Sequence, residues 1–388
     1  MTIKNSWHFR RAGTIIYDMK SFRNNPVVLA VMAVLLLALL VALVLLVRLA
    51  VKGAREKDEP IGTGEPMATP APTLLDLYAA YERNEAMQIR VYDHRADRLI
   101  TMDLEEYVVG VVAAEMPVRY DFEALKAQAV ASRTYTLYGV LHGGCQTNPD
   151  ADVCTNSKCC QAFSSHDRMQ QTWGDDYVKN YNRVAQAVIE TAGEVVTYDG
   201  KIADALYHAC SGGRTEDSEN VYANALPYLR GVDSPYEEPM RTEDVPIGFD
   251  ALIALITEKY PESGVTEDNA AEEIGIAETY GSGRVKTLRL GKTVITGKQA
   301  RNLFDLRSTM FTVTWSEDGI VFHTKGYGHG VGLSQNGANG MAKHGASYRE
   351  ILLHYYTGVT IGTVCADGTV SFPAETPEAT AKPLVPEE

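Results

Sequence analysis

A chain of 388 residues with ordinary apolar content has room for one large domain or two of common size. Its formal net charge of -14 argues against a nucleic-acid partner, which usually requires a basic face, so no nucleic acid is expected. The same charge repels polyanionic surfaces at long range, although salt screens most of that repulsion.

In chain order, residues 1–25 form an N-terminal segment ahead of a long apolar run. Residues 26–47, "PVVLAVMAVLLLALLVALVLLV", form an uninterrupted apolar run. At ~1.5 Å rise per residue its length matches a bilayer core of roughly 30 Å. The run is too long for the apolar part of a cleaved signal peptide, and no small-x-small site follows closely. A single-pass transmembrane helix is expected. Lys4, Arg10, Arg11, Lys20 and Arg23 precede it and Arg48, Lys52, Arg55 and Lys57 follow, so charge alone does not orient it. Residues 48–88 are rich in charge, Pro and Gly and read as a juxtamembrane tether.

The folded part is expected over 89–365, with a disordered tail over 366–388. It opens with two short strands, then a helix Leu104 to Met116, capped by Asp103 with Glu106 three positions on. A second helix is expected from the Asp121 cap to about Leu141, close-packed through Ala124, Ala127 and Ala131. A third, Asp175 to Gly193, carries Val178, Tyr181, Val184, Ala185 and Val188 on one stripe. "EVVTYDGK" and "IADALYHAC" suggest a hairpin around Asp199-Gly200. Pro246 to Asn269 reads as a helical, acidic stretch, then come strands, a helix and the strands "MFTVTWSEDG" and "IVFHTKGYG".

Three places carry candidate chemistry. "AAEMP" ends the first helix and delivers one carboxylate, Glu115, to a junction. Taken alone, that is an ordinary solvated glutamate as readily as a catalytic acid. "YHACSGG" puts Ser211, Gly212 and Gly213 after a strand, where backbone approaches a ligand or simply turns. "GYGHGVGLSQNG" surrounds His329 with glycines and adds Ser334 and Gln335, groups suited to a sugar amide. The order needed for a phosphate-cradling loop is absent. Of six cysteines, Cys145, Cys154, Cys159 and Cys160 crowd one short segment as a local clamp, whereas Cys210 and Cys365 read as buried free thiols.

The blocks "AAEMP", "EALKAQAVASRTY", "DVCTNSKCCQAF", "YHACSGGRTEDSENVY", "PYLRGVDSP", "DLRSTMFTV" and "GYGHGVGLSQNGANGMAKHG" occur in this order. Together they resemble the stage II sporulation protein D family, also called the amidase-enhancer family. The resemblance implies an α+β fold: a single-pass N-terminal membrane helix followed by a mixed helix/strand ectodomain with a glycan-binding groove. It implies a lytic transglycosylase acting on peptidoglycan glycan strands after an amidase has removed the stem peptides. The setting would be the cell membrane, with residues 1–25 as a cytoplasmic N-terminal segment and the C-terminal domain extracytoplasmic on the mother-cell side of the septum, facing the intermembrane space. Partners would be that sporulation amidase and membrane proteins of the engulfment complex.

The catalytic role passes to Glu115, because "AAEMP" matches the block holding the family's essential glutamate. Tyr207, Ser211, Gly212, Gly213, His329, Ser334, Gln335 and Arg133 are the candidates for binding glycan. Arg133 also reads as a structural ion pair, His329 equally as a clamp on its own loop, and Glu123 as a helix-start residue rather than a rival acid. Some relatives hold zinc with mixed His and Cys ligands. Here Asn148 and Cys159 stand where histidines would be expected, so either four thiolates hold a structural zinc or two disulfides form. His142 and His166 are spare ligands. No cofactor is required for the reaction itself. A non-enzymatic glycan-binding enhancer of an amidase is the competing function.

Overall fold

The computed structural model describes residues 87–364 and 370–371. The expected membrane span 26–47, nearly all of the tether, and Cys365 lie outside the described residues. Among the described residues no helix is long and apolar enough to cross a membrane.

The described chain is α+β, with two hydrophobic cores. The larger core is organised by helix α2 (Phe122–Leu141), whose Ala124, Ala127, Ala131 and Val130 are fully buried. Small side chains let neighbours approach closely, and α2 is contacted by α1 (Leu104–Glu115), α4 (Tyr177–Ile189), α8 (Gln335–Lys343), α9 (Tyr348–Tyr355) and strand β4 (Glu194–Tyr198). Both N-caps are as expected: Asp103 accepts from Glu105 N–H and Asp121 from Glu123 N–H. Helix α9 opens with a capping box between Ser347 and Glu350 and buries Ile351, Leu352 and Tyr355.

Strands β1 (Gln88–Asp93) and β2 (Arg98–Asp103) pair antiparallel, and β3 (Val153–Cys154) joins β1 in parallel. Strand β4 pairs with β14 (Thr360–Val364), which carries β15 (Val370–Ser371) on its far side. Val370 and Ser371 thus correct the expectation of a wholly disordered tail: Val370 packs on the core at a sheet edge that accepts another strand.

Three other expectations are corrected. The third helix starts at Tyr177, preceded by a separate α3 (His166–Trp173), and Val178 faces solvent while Tyr177 is buried. Gly174 at φ 51° is what divides the two helices. The hairpin at Asp199-Gly200 forms, with both residues at positive φ, but only Lys201–Ile202 (β5) pairs. The chain then leaves, and β6 (Tyr207–His208) pairs in parallel with β13 (Leu333–Ser334). Pro246 lies within β7 (Thr242–Gly248), not in a helix. β7 is the edge of the β11–β12–β7 sheet, where a missing N–H is tolerated.

The second core is built between β6 and β13. Helix α5 (Phe249–Lys259), the short α6 (Ala270–Glu273), β8 (Ile274–Thr279), β9 (Val285–Leu290), β10 (Thr293–Thr296), α7 (Gly297–Leu303), β11 (Phe311–Ser316) and β12 (Gly319–Lys325) surround it. Leu252, Ile256, Leu288, Leu290 and Phe322 are its most deeply buried members.

Candidate active site

Glu115 is the last residue of α1, and Met116 leaves the helix with extended backbone before Pro117. Val111 and Val112 beneath it are fully buried, so the junction is held from below by the core. The Glu115 side chain is half-buried, and its two oxygens are held from different parts of the chain. Ala162 N–H donates to Oε1 at 3.0 Å, and Gln335 Nε2 donates to Oε2 at 3.4 Å. Burial lifts the Glu115 carboxyl above its ordinary range, against these two hydrogen bonds, which pull it down.

Gln335 is in turn oriented by α2. Its Nε2 also reaches Gln128 Oε1 at 3.3 Å, and Gln128 Nε2 donates to Ser132 Oγ at 2.9 Å. Gln128 and Ser132 are fully buried on an alanine-rich helix. That placement was a signal in the sequence, since a glutamine amid core alanines needs a partner.

The segment that brings Ala162 is fixed twice. Ser164 N–H donates to Gly110 O at 2.9 Å, and the Phe163 ring lies so close to Gly110 that a Cβ there would sit 2.2 Å from it. Upstream, the four cysteine sulfurs converge with all ligand atoms within 4.8 Å of one another. The Cys145–Cys159 and Cys159–Cys160 Sγ separations are both 3.8 Å. Four thiolates at about 2.3 Å from a central zinc would have edges of about 3.8 Å, so this donor set fits that ion. A disulfide needs about 2.05 Å, and all four are free thiols. Cys154 N–H also points at Cys160 Sγ, at 3.3 Å. His142 and His166 are engaged elsewhere, with Tyr138 O at 2.7 Å and the Tyr177 hydroxyl at 2.8 Å.

Tyr207 joins the same neighbourhood. Its hydroxyl donates to Gln161 Oε1 at 2.7 Å, and its ring meets Tyr135 edge-on at 6.3 Å between centroids. Gln161 and Tyr135 line a cavity of about 420 Å³ with Tyr138, Tyr222 and Asp204. Asp204, which the sequence reading missed, has its carboxyl pushed up to about 6 by burial.

The remaining sequence candidates are placed differently. Ser211 and Ser334 are fully buried, and both hydroxyls donate to Glu237 Oε1, as does Ser234. These serines support a buried carboxylate. Gly212, at φ 83°, turns the chain against protein: a Cβ would lie 2.8 Å from Met310 Sδ and 3.2 Å from Lys325 O. Gly213 also sits at positive φ and donates its N–H to Ser211 Oγ at 3.1 Å. His329 is clamped at both nitrogens, Nε2 donating to Tyr207 O at 2.9 Å and Nδ1 accepting from Val331 N–H at 3.1 Å. Burial pushes it down to about 4, so it is neutral.

Arg133 is wholly buried. It holds both Glu105 oxygens, Glu194 O at 3.1 Å and Val188 O at 3.2 Å, and so ties α1, α2, α4 and β4 together. Glu123 accepts from Tyr348 N–H at 2.8 Å and pairs with Lys126, so it fixes a helix start. Cys210 is a buried free thiol. Of the expected site residues, the fold therefore gathers Glu115, Gln335 and Tyr207.

Residues 92–198 match the family model described as stage II sporulation protein. The chain is 33% identical over 287 residues to stage II sporulation protein D of Bacillus amyloliquefaciens, covering 72% of this chain and 80% of that one. It is 32% identical to stage II sporulation protein D of Bacillus subtilis (strain 168), covering 71% and 79%. It is 26% identical to the amidase enhancer of the same organism, covering 65% of this chain and 40% of that one. The chain belongs to the stage II sporulation protein D family.

Proposed function

We propose that this protein is a lytic transglycosylase that cleaves the bond between N-acetylmuramic acid and N-acetylglucosamine in peptide-free glycan strands, leaving 1,6-anhydromuramic ends. The observation that supports this most is Glu115: one carboxyl, lifted by burial, held at both oxygens. A hydrolase with two catalytic carboxylates needs a second one about 5–9.5 Å away. A lytic transglycosylase needs one. Protonated Glu115 gives its proton to the glycosidic oxygen as that bond breaks. The resulting carboxylate then takes the proton of the muramic C6 hydroxyl as its oxygen bonds to C1. The nucleophile is the substrate's own, so no cofactor is required. A raised pKa keeps the acid protonated nearer neutral pH, and the Ala162 N–H is placed to stabilise the carboxylate formed halfway. Tyr135, Tyr138 and Tyr222 line the 420 Å³ cavity, aromatic surface of the kind sugars pack on, and Gln161 in its wall precedes Ala162, which holds Glu115.

In this reading residues 26–47 anchor the protein in the cell membrane with its folded part outside the cytoplasm, where septal wall is remodelled during engulfment. The cysteine cluster holds a structural zinc, closed by four thiolates, that fixes the segment carrying Ala162. A sporulation amidase supplies the peptide-free strands.

A second reading, a glycan-binding enhancer of an amidase without activity of its own, draws on the similarity to the amidase enhancer of Bacillus subtilis. The two separate on one variant. Glu115→Gln keeps the shape of the side chain and removes its acid, so strand binding persists and anhydro ends disappear. If the unaltered protein binds strands and yields no anhydro ends by mass spectrometry, the enhancer reading replaces the enzyme.

A further inference from the structure

A second cavity, of about 280 Å³, opens between the two cores and is strongly basic, on a chain whose net charge is -14. Arg284, Arg301, Lys286 and Lys298 line it. Arg284 is 1% exposed; its Nη1 and Nη2 donate to Arg214 O and Ser211 O, while its Nε has no hydrogen-bond partner. Arg301 spends only its Nε on protein, on Leu306 O at 3.1 Å. Lys286 pairs with Glu278 at 2.7 Å, and Lys298 is exposed with no ion pair among the described residues. One carboxylate, Glu216, lies in the same wall, already occupied by Ser282 Oγ, Asn220 Nδ2 and Asp217 N–H. His329 also lines this cavity, but it is neutral and adds no charge. Burying Arg284 with a bare Nε carries a cost, which the Glu216 and Glu237 carboxylates offset only in part.

Tyr222 lines both cavities, so the two lie on either side of one side chain. The chemistry of the proposed substrate supplies an anion at this point. A muramic residue carrying a stem peptide has its lactyl carboxyl tied up as an amide. Once the peptide is removed, that carboxyl is a free anion, repeated on every second sugar. Arg284 has both Nη atoms on backbone carbonyls and contributes charge, whereas the Nη1 and Nη2 fork of Arg301 matches a carboxylate in shape and charge.

We infer that the Arg284–Arg301–Lys298 cavity binds the free lactyl carboxylate of a peptide-free muramic residue, and so selects strands from which the stem peptides have been removed. The inference rests on the glycan reading above and names what that reading leaves open, the group by which stripped strands are told apart.

The test uses the full chain in detergent carrying Glu115→Gln, so that strands are bound and not cut. Two probes are compared: peptide-free strands, and the same strands with their lactyl carboxyls converted to methylamides. The free acid is expected to bind about tenfold tighter, the size of one well-formed charge-assisted pair. Adding Arg301→Gln or Lys298→Gln brings the two forms towards equal affinity; Lys298 is exposed, so its variant folds even if the loss of the Leu306 anchor harms the other. Equal binding of both forms to the Glu115→Gln protein overturns the inference and leaves the glycan reading standing. A preference that survives both added substitutions overturns the location. Binding of neither form overturns the glycan reading, and this inference with it.

Discussion

Gln335 reaches Glu115 across 220 residues of sequence, its Nε2 lying 3.4 Å from Oε2, and the same nitrogen lies 3.3 Å from Gln128 on the central helix. The acid is therefore held by a side chain that is itself held by the core. Gln335→Ala removes a donor that lowers the Glu115 pKa. The limb of the pH–rate profile on which Glu115 must stay protonated is expected to move to higher pH. The maximal rate is expected to fall about tenfold through lost positioning. Anhydro-end release measured against pH checks both; an unmoved limb would mean that Gln335 does not act on Glu115.

Asp204 tests the tyrosine-lined cavity through stability. Its folded pKa of about 6 stands above the ordinary aspartate value of about 3.9. The stabilisation tied to its protonated form is complete below about 4 and is lost as pH rises through about 6. Asp204→Asn is therefore expected to be more stable than the parent above pH 6, the gain shrinking to nothing between pH 6 and 4. Urea titrations at several pH values read this directly. A pH-independent difference would mean that Asp204 is not the buried acid described.

The cysteine cluster lies one residue upstream of Gln161 and two upstream of Ala162, whose N–H holds Glu115. Cys160→Ser is expected to lower Tm and to reduce turnover without touching a reacting group. Purified protein is expected to contain one zinc per chain, and removing it with a chelator should have the same effect as the substitution. A mass showing two disulfides in place of metal would contradict the closed thiolate site.

Arg133→Ala strands Glu105 and leaves the carbonyls of Val188 and Glu194 without this donor. Breaking a buried pair by removing one partner typically costs 3–5 kcal/mol, so a loss of about that size is expected by denaturant unfolding. A neutral result would place Arg133 outside the framework.

The helices around Glu115 were legible because their caps and alanine spacing are local signals. Asp103 and Asp121 state where α1 and α2 begin, and "AAEMP" states where α1 stops. The cysteine cluster was legible for the same reason. The glycine blocks were less legible. Glycine announces a close approach but not what approaches, and at Gly212, Gly328 and Gly330 the neighbours are Met310, His208 and Arg284. Glu237, Asp204 and Arg301 carried no local pattern at all. Their surroundings come from segments far apart in sequence, and only the fold brings those together.

The most direct measurement is the product of the Glu115 carboxyl itself. Peptide-free strands incubated with the unaltered full chain should yield 1,6-anhydromuramic ends by mass spectrometry, and the Glu115→Gln protein should bind the same strands and yield none. Anhydro ends from the Glu115→Gln protein at the parent rate would contradict the assignment of Glu115 as the acid and base of this reaction.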